Sequence, residues 1–136
     1  MNKSIHTKTK GSIAEMAVAA RLIEEGWRVL FPVGENNRYD LVAECDSRFI
    51  KIQVKYVTPK NGVLEVNCRS CNNWSILHYT KNEIDVLAAY NSRDKEIYFI
   101  PVSKINHSSF KLRLDKPKNN QKSKINFAED FSILSI

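Results

Sequence analysis

Near the start of the chain, apolar residues recur at the three-to-four-residue spacing of one face of a helix. They lie between Gly11 and Gly26, and a glycine commonly follows the last turn of a helix. Residues 27–33, WRVLFPV, then form a mostly apolar run typical of a strand, and residues 34–37, GENN, have the composition of a turn. This part of the chain therefore predicts a helix followed by a strand and a turn.

The next two segments alternate apolar and polar residues, as strands with one buried face do. Residues 38–45, RYDLVAEC, and residues 48–57, RFIKIQVKYV, are separated by a short turn and predict an antiparallel hairpin. A turn centred between them places Asp40 opposite Gln53, and directly opposed residues project from the same face. Lys55 lies two residues beyond Gln53, so it shares that face. The hairpin therefore predicts a polar group of Asp40, Gln53 and Lys55 within side-chain reach of one another.

The remaining pattern predicts further strands and a second helix. The elements are a turn at 58–62, a third strand of the hairpin series at 63–70, a helix at 81–91 with Thr80 and Glu83 as its capping box, a strand at 96–102, a turn of helix at 103–106, a strand at 110–114 and a closing helix or strand at 126–134. This order predicts an α/β fold with a mixed central sheet flanked by helices. We expect one domain over residues 1–136, with its core at about 10–114 and a basic tail and closing segment at 115–136.

Composition and charge narrow the function. The 136 residues carry a net charge of +6 and are 43% hydrophobic, which indicates a globular domain and favours an anionic partner, nucleic acid first. No apolar run has the length of a transmembrane helix, and no apolar segment follows the basic N-terminus as in a signal peptide. Three cysteines at irregular spacing favour free thiols in a reducing compartment. We therefore expect a cytoplasmic protein that is neither secreted nor membrane-bound. We also expect a prokaryotic or organellar context and no nucleotide cofactor.

The polar group on the hairpin has the chemistry of a metal site. Carboxylate and amide oxygens suit Mg²⁺, a hard ion that prefers oxygen ligands. Such an ion binds a scissile phosphate and lowers the pKa of a water. A lysine at the position of Lys55 can orient that water or stabilise the charge of the transition state. The alternative is a solvated strand face that carries an Asp–Lys ion pair.

Asp40, Gln53 and Lys55 resemble the signature of the PD-(D/E)XK nuclease superfamily, in particular the small homing endonucleases encoded in bacterial group I introns. Tyr39 stands at the proline of the signature, and Gln53 stands at its second acid, where a neutral amide can ligate a metal without adding charge. The likeness covers roughly residues 10–132. It implies the fold of that superfamily and a Mg²⁺-dependent endonuclease acting on duplex DNA, with Mn²⁺ as an expected substitute.

The neutral Gln53 leaves the site one carboxylate short, and Glu15 on the first helix is the candidate to supply it. The resemblance implies an acid on this helix. Asp40, Gln53 and Glu15 are then the expected metal ligands, and together with Lys55 they are the expected catalytic residues. A structural alternative is a capping box in which Ser12 begins the helix and Glu15 closes it.

Two polar segments are candidates for DNA contact, because lysines neutralise phosphates and Arg, Asn and Gln read base edges. The residues are Arg69, Asn72 and Asn73 in the first segment and Lys118, Asn119, Asn120, Gln121, Lys122 and Lys124 in the second. Solvated loops are the alternative for both segments. A zinc site is a weaker alternative for Cys68 and Cys71, because Cys45 and His78 would have to complete its four ligands.

The sequence therefore predicts a DNA endonuclease with site-specific double-strand cleavage. A structure-selective nuclease such as a Holliday junction resolvase and a DNA-binding module with a decayed site are the alternatives. Double-strand cleavage by so small a domain needs a second active site, which predicts a homodimer or homotetramer. The expected subunit contact is the apolar C-terminal segment with Phe127, Phe131, Ile133, Leu134 and Ile136.

Overall fold

The structure is a computed structural model that describes residues 4–34, 37–68, 83–115 and 125–135. Within these ranges the elements are α1 (Thr7–Glu24), β1 (Arg28–Leu30), β2 (Leu41–Cys45), β3 (Arg48–Val57), β4 (Val63–Asn67), β5 (Val86–Asn91), β6 (Ile97–Pro101) and β7 (Ser109–Arg113), with short 3₁₀ helices at Val102–Lys104 and Ala128–Phe131. None of the helices in this part of the chain is long and apolar enough to cross a membrane.

The strands form a mixed sheet. Among the described residues, five strands pair in the order β1-β2-β3-β5-β6, and β4 pairs with β7 in a separate ladder. The β3–β5 pair is parallel, and the other neighbours in the larger sheet are antiparallel. This arrangement confirms the predicted α/β fold. The prediction that the strand at 63–70 extends the hairpin series is wrong, because β4 finds its partner in β7, far along the chain.

The central hairpin of β2 and β3 has the register that the alternating pattern predicts, with Cys45 opposite Arg48. The turn residues Asp46 and Ser47 have φ angles of 50° and 64°. A positive φ at both central positions is typical of the tight hairpin turn whose twist matches that of the strands. The turn therefore fixes which residues of β3 face each side of the sheet, since a one-residue slip would exchange the two faces.

Residues 86–91 form strand β5, where the sequence pattern predicts a helix. All six residues are buried, because successive side chains point into hydrophobic clusters on opposite faces of the sheet. Leu87 and Ala89 belong to one cluster, and Val86 and Ala88 belong to the other. A strand buried on both faces is a continuous apolar run without alternation, so its pattern does not separate it from a buried helix.

Helix α1 begins at Thr7, earlier than the sequence pattern predicts. His6 caps it, since its Nδ1 accepts a hydrogen bond from the backbone N–H of Lys8 at 3.2 Å. Ser12 therefore lies inside the helix, where its Oγ donates to the carbonyl of Lys8 at 3.2 Å. The capping box of Ser12 and Glu15 is wrong, and the Glu15 side chain is not used to begin the helix.

Helix α1 and the sheet bury one of the hydrophobic clusters between them. The helix contributes its small and branched apolar residues, among them Val18 and Leu22, and β3 contributes Ile50 and Ile52. Side chains alternate along a strand, so Gln53, between Ile52 and the partly buried Val54, projects from the opposite face together with Lys55. The predicted separation of a polar group from the apolar face of the hairpin is therefore present.

The C-terminal segment closes the core of the monomer at some of the positions predicted to contact another subunit. Phe131 and Leu134 are buried in the chain itself, and Phe127 is partly buried. Ile133 is 65% exposed, and Ile136 lies outside the described residues. A role in subunit contact remains a prediction for Ile133.

Candidate active site

Asp40 is held at the start of β2 by hydrogen bonds to β3. Its backbone N–H donates to the carbonyl of Ile52, and its Oδ2 accepts from the backbone N–H of Val54, each at 2.8 Å. Burial raises the pKa of the Asp40 carboxyl above its usual value, and the Val54 hydrogen bond and the charge of Lys55 offset part of that rise. The hairpin thus fixes a carboxylate whose charge is poorly solvated and which benefits from nearby positive charge.

Glu15 reaches the same place from helix α1. It lines a cleft of about 250 Å³ with Asp40, and the other lining residues are Phe31, Pro32, Gly34, Asn37 and Tyr39. Burial raises the pKa of Glu15, and the negative charge of Asp40 raises it further. Like charges that influence each other in this way disfavour the doubly ionised state unless a proton or a cation separates them.

Gln53 presents an oxygen atom that its surroundings do not satisfy. Its Oε1 is buried and has no hydrogen-bond partner within the described ranges of the chain. An unsatisfied buried acceptor costs about 1–3 kcal/mol, so such atoms usually have a partner, a water or an ion. The residue is partly buried and lies opposite Leu87 of β5, on the middle strand of the five-stranded sheet.

Lys55 is the positive group of the site. Its charge lowers the pKa of Asp40 and also the pKa of the Cys68 thiol. The Cys68 Sγ donates a hydrogen bond to the carbonyl of Val66 at 3.5 Å. Burial outweighs this effect at Cys68 and raises the pKa of its thiol to about 11. The thiol therefore stays neutral at physiological pH and adds no negative charge beside Lys55.

The zinc alternative gains no support from the described part of the chain. No group of three or more His, Cys, Asp or Glu side chains able to hold a metal ion occurs there. Cys68 is buried as a thiol, and Cys45 is a free cysteine at the hairpin end of β2. Cys71 and His78 lie outside the described residues. The oxygen-donor set of Glu15, Asp40 and Gln53 is therefore the stronger metal-site candidate.

An ion pair that the sequence pattern did not predict lies next to the site. The Nε of Arg38 is 3.6 Å from the Oε2 of Glu83, which joins the segment before β2 to the segment before β5. The sequence pattern predicts Glu83 in a helix capping box, and the position of Glu83 before strand β5 makes that prediction wrong. The partner residue of that box, Thr80, lies outside the described residues.

The structure thus brings Glu15 and Asp40 into one cleft and places the charge of Lys55 near Asp40, with Gln53 on the same face of β3. The predicted DNA contacts all lie outside the described residues. They are Arg69, Asn72, Asn73, Lys118, Asn119, Asn120, Gln121, Lys122 and Lys124.

Comparison with known proteins shows the family of the chain. The profile of a PD-(D/E)XK endonuclease family matches residues 5–134. The chain belongs to this family. Among solved structures, this PD-(D/E)XK chain is similar to the bacterial homing endonuclease I-Ssp6803I, with a TM-score of 0.73 and 28% identity over 93% of this chain and 88% of that one. A comparison with curated protein sequences found no match.

The fold also occurs in a Holliday junction resolvase. Hjc, a Holliday junction resolvase from Archaeoglobus fulgidus, gives a TM-score of 0.50 and 19% identity over 76% of this chain and 84% of that one. At this identity the likeness concerns the fold alone. The family match and the homing endonuclease together confirm the resemblance that Asp40, Gln53 and Lys55 indicate in the sequence.

We expect Glu15→Gln to raise the free energy of unfolding of the metal-free PD-(D/E)XK chain at neutral pH. Because the pKa of Glu15 is raised, the folded chain binds a proton at this carboxyl more readily than the unfolded chain does. The carboxyl therefore favours the fold as pH falls through its raised pKa and disfavours it at higher pH. The gain at neutral pH should be below about 1 kcal/mol, because the carboxyl is partly solvated.

Denaturant unfolding in EDTA across the pH range of carboxyl titration measures this difference. Glu24→Gln is the matched control, since Glu24 lies on the same helix in an exposed position, and we expect it to change stability little. A loss of stability in Glu15→Gln at neutral pH would contradict the proposed repulsion between Glu15 and Asp40.

Proposed function

We propose that this chain is a Mg²⁺-dependent endonuclease that cleaves duplex DNA at specific sites, as a homing endonuclease does. The observation that carries the proposal is the cleft that Glu15 and Asp40 line together, with the charge of Lys55 acting on Asp40. Membership of the PD-(D/E)XK endonuclease family supports phosphodiester hydrolysis, and the likeness to I-Ssp6803I supports the homing endonuclease class. A net charge of +6 suits a polyanionic substrate.

The donor set fits a hard divalent cation. Asp40 and Glu15 supply negative charge. Burial raises the pKa of Glu15 and the charge of Asp40 raises it further, and a cation between the two carboxylates would relieve their repulsion. Gln53 supplies the carbonyl-type oxygen that otherwise has no partner in the described structure. A bound Mg²⁺ contributes charge stabilisation for the scissile phosphate and a lower pKa for the attacking water. Mn²⁺ accepts the same oxygen ligands, so we expect it to substitute.

Lys55 has two tasks in this proposal. Its positive charge favours the ionised form of Asp40, which is the form that binds a cation. Its ammonium group can also donate to a phosphate oxygen as negative charge develops there during hydrolysis. Because the Cys68 thiol remains protonated, it does not compete with the phosphate for the charge of Lys55.

A double-strand break requires a second copy of this site. The simplest source is another subunit related by a two-fold axis, so the proposal includes a homodimer or a homotetramer. Phe131 and Leu134 close the core of the chain itself. Ile133, which is 65% exposed, is the candidate for a subunit contact among the described residues of the C-terminal segment.

The test of this function is cleavage of plasmid libraries with Mg²⁺, with Mn²⁺ and in EDTA, followed by sequencing of the ends. We expect discrete cleavage sites with either metal and none in EDTA. Cleavage of four-way junctions in preference to matched linear duplex would indicate a resolvase instead. Binding of DNA without cleavage by either metal would contradict the proposal and favour a decayed site, the alternative that the neutral Gln53 supports.

We expect Gln53→Ala to raise the Mg²⁺ concentration needed for half-maximal cleavage by at least about tenfold, because the variant removes an oxygen donor from the metal shell. Gln53→Glu keeps the shape of the side chain and adds a charge, so it should retain activity and bind the metal more tightly. Titration of cleavage rate against Mg²⁺ compares the two variants. An unchanged requirement in Gln53→Ala would show that Gln53 is not a ligand.

A further inference from the structure

An exposed apolar loop tip follows strand β1. It consists of Phe31, Pro32 and Val33, here called the rim tip. Phe31 is 48% exposed and Val33 is 99% exposed. Large apolar side chains that stand in water together usually mark a contact surface, whereas an isolated one needs no explanation. The rim tip is therefore a candidate interaction surface.

The backbone presents the rim tip in a defined conformation. Pro32 fixes its own φ and restricts the residue before it to extended conformations. Gly34 follows directly with a φ of 99°, a value that a residue with a side chain adopts rarely. The tip thus contains a rigid residue and ends at a turn that favours glycine, which lowers the conformational entropy that the segment loses when it binds a partner.

The location of the rim tip points to the occupant. Phe31, Pro32 and Gly34 line the same cleft of about 250 Å³ as Glu15 and Asp40. The grooves of B-DNA are about 6 Å and 12 Å wide. When a backbone phosphate of a DNA duplex lies in this cleft, the adjacent groove of the DNA faces the residues that line the cleft, including Phe31 and Pro32.

We propose that the rim tip is a DNA wedge, which packs its apolar side chains against the sugars and base edges of the groove beside the scissile phosphate. Phenylalanine and proline are among the residues that other proteins insert into a DNA groove or between base steps. This inference rests on the proposed nuclease function, because it places the scissile phosphate at Asp40. The rim tip carries no charge, so its contribution to binding does not depend on salt, in contrast to lysine contacts with phosphates.

A second copy of the chain is the competing occupant. Strand β1 is an edge strand of the described sheet, and exposed edges can pair with another chain. The shared cleft favours DNA, because an occluding subunit on Phe31 and Pro32 would close the approach to Glu15 and Asp40. The experiment distinguishes the two occupants.

Photo-crosslinking tests which partner the rim tip contacts. p-Benzoylphenylalanine replaces Phe31 in one variant and Val33 in a second, and the protein is irradiated in EDTA with a labelled pool of random-sequence duplexes. The control variant carries the same group at Phe49, which is 60% exposed and lines a different, mostly apolar hollow with Ile50 and Val86. We expect DNA adducts from positions 31 and 33 and few from position 49. Because Val33 is almost fully exposed, a label there does not disturb packing.

Adducts to a second protein chain in place of DNA, or no more DNA adduct than position 49 gives, would overturn the inference. Its failure is distinct from failure of the proposed function, since crosslinking in EDTA needs no cleavage. DNA adducts from a chain that does not cleave DNA would support DNA contact by the rim tip and contradict the proposed nuclease function. DNA cleavage without adducts at positions 31 and 33 would contradict only the proposed wedge.

A binding measurement gives an independent check. Truncation of Phe31 and Val33 to Ala in one protein should weaken DNA binding about tenfold or more, because apolar contact area is lost. The slope of log affinity against log salt should not change, since no phosphate contact is removed. Phe49→Ala should leave both quantities unchanged. Unaltered affinity in the double variant, or an altered salt slope, would contradict a wedge.

Discussion

Asp40→Asn is expected to lower the rate of DNA cleavage by at least about 10³-fold while the chain folds and binds DNA. The amide retains an oxygen that can accept the hydrogen bond from the Val54 N–H, so the link between β2 and β3 can persist. It removes the negative charge that Asp40 contributes with Glu15 for holding a cation. Single-turnover cleavage and DNA binding in EDTA separate the loss of chemistry from a loss of affinity.

The fold supplies a matched control for this variant. Asp85 also uses a carboxylate oxygen to accept a backbone N–H of β3, that of Lys51 at 2.9 Å, close to the 2.8 Å of the Asp40 bond to Val54. Asp85→Asn therefore makes the same chemical change to the same kind of strand contact outside the cleft. We expect it to affect stability as Asp40→Asn does and to leave cleavage intact. Equal loss of cleavage in both variants would assign Asp40 a structural role only.

The hairpin that carries Asp40 and Lys55 could be predicted from sequence because its information is local. The alternation of apolar and polar residues sets the two faces, and the short turn at Asp46 and Ser47 sets the register. The face of Gln53 and Lys55 follows directly from these features. A one-residue error would have placed both side chains in the cluster beneath α1, so the register was the decisive part of the site prediction.

Strand β5 could not be assigned in this way, because its burial comes from distant parts of the chain. Val86 packs with the residues of α1, and Leu87 packs with the cluster around β4 and β7. Neither neighbour is visible in the local pattern, and alanines at 88 and 89 favour a helix by propensity. The partner of β4 was missed for the same reason, since β7 lies more than forty residues further along.

Glu15 shows how far sequence could lead at the site itself. The spacing of Ser12 and Glu15 allows either a capping box or a role for Glu15 in the cleft. The observed N-cap residue, His6, decides between the two. His6 caps the helix, which moves Ser12 into its interior and leaves the Glu15 carboxyl beside Asp40. The rim tip does not follow from the sequence pattern, which predicts one strand over 27–33. In the structure β1 ends at Leu30, and Phe31 and Val33 after it are exposed.

Lys55→Ala is expected to slow cleavage by about 10²–10³-fold, the usual loss when a group that stabilises developing charge is removed. DNA affinity and its salt dependence should change little, because one lysine near the cleft contributes only a small part of the charge that attracts DNA. The charge of Lys55 lowers the pKa of Asp40, so its removal raises that pKa. In Lys55→Ala the acid limb of the pH–rate profile should therefore move to higher pH. In Lys55→Arg, which keeps the positive charge, that limb should stay closer to its wild-type position.

Lys51 is the matched control for this prediction, since it lies four residues earlier on the same strand, faces the same side and is also partly buried. Lys51→Ala should retain cleavage and an unshifted pH–rate profile. Comparison of the two profiles separates a role in the reaction from the general loss of a positive charge on β3. If both variants slow cleavage equally without moving the acid limb, Lys55 acts only through the net charge of the chain, and the placement of its ammonium beside Asp40 has no part in the chemistry.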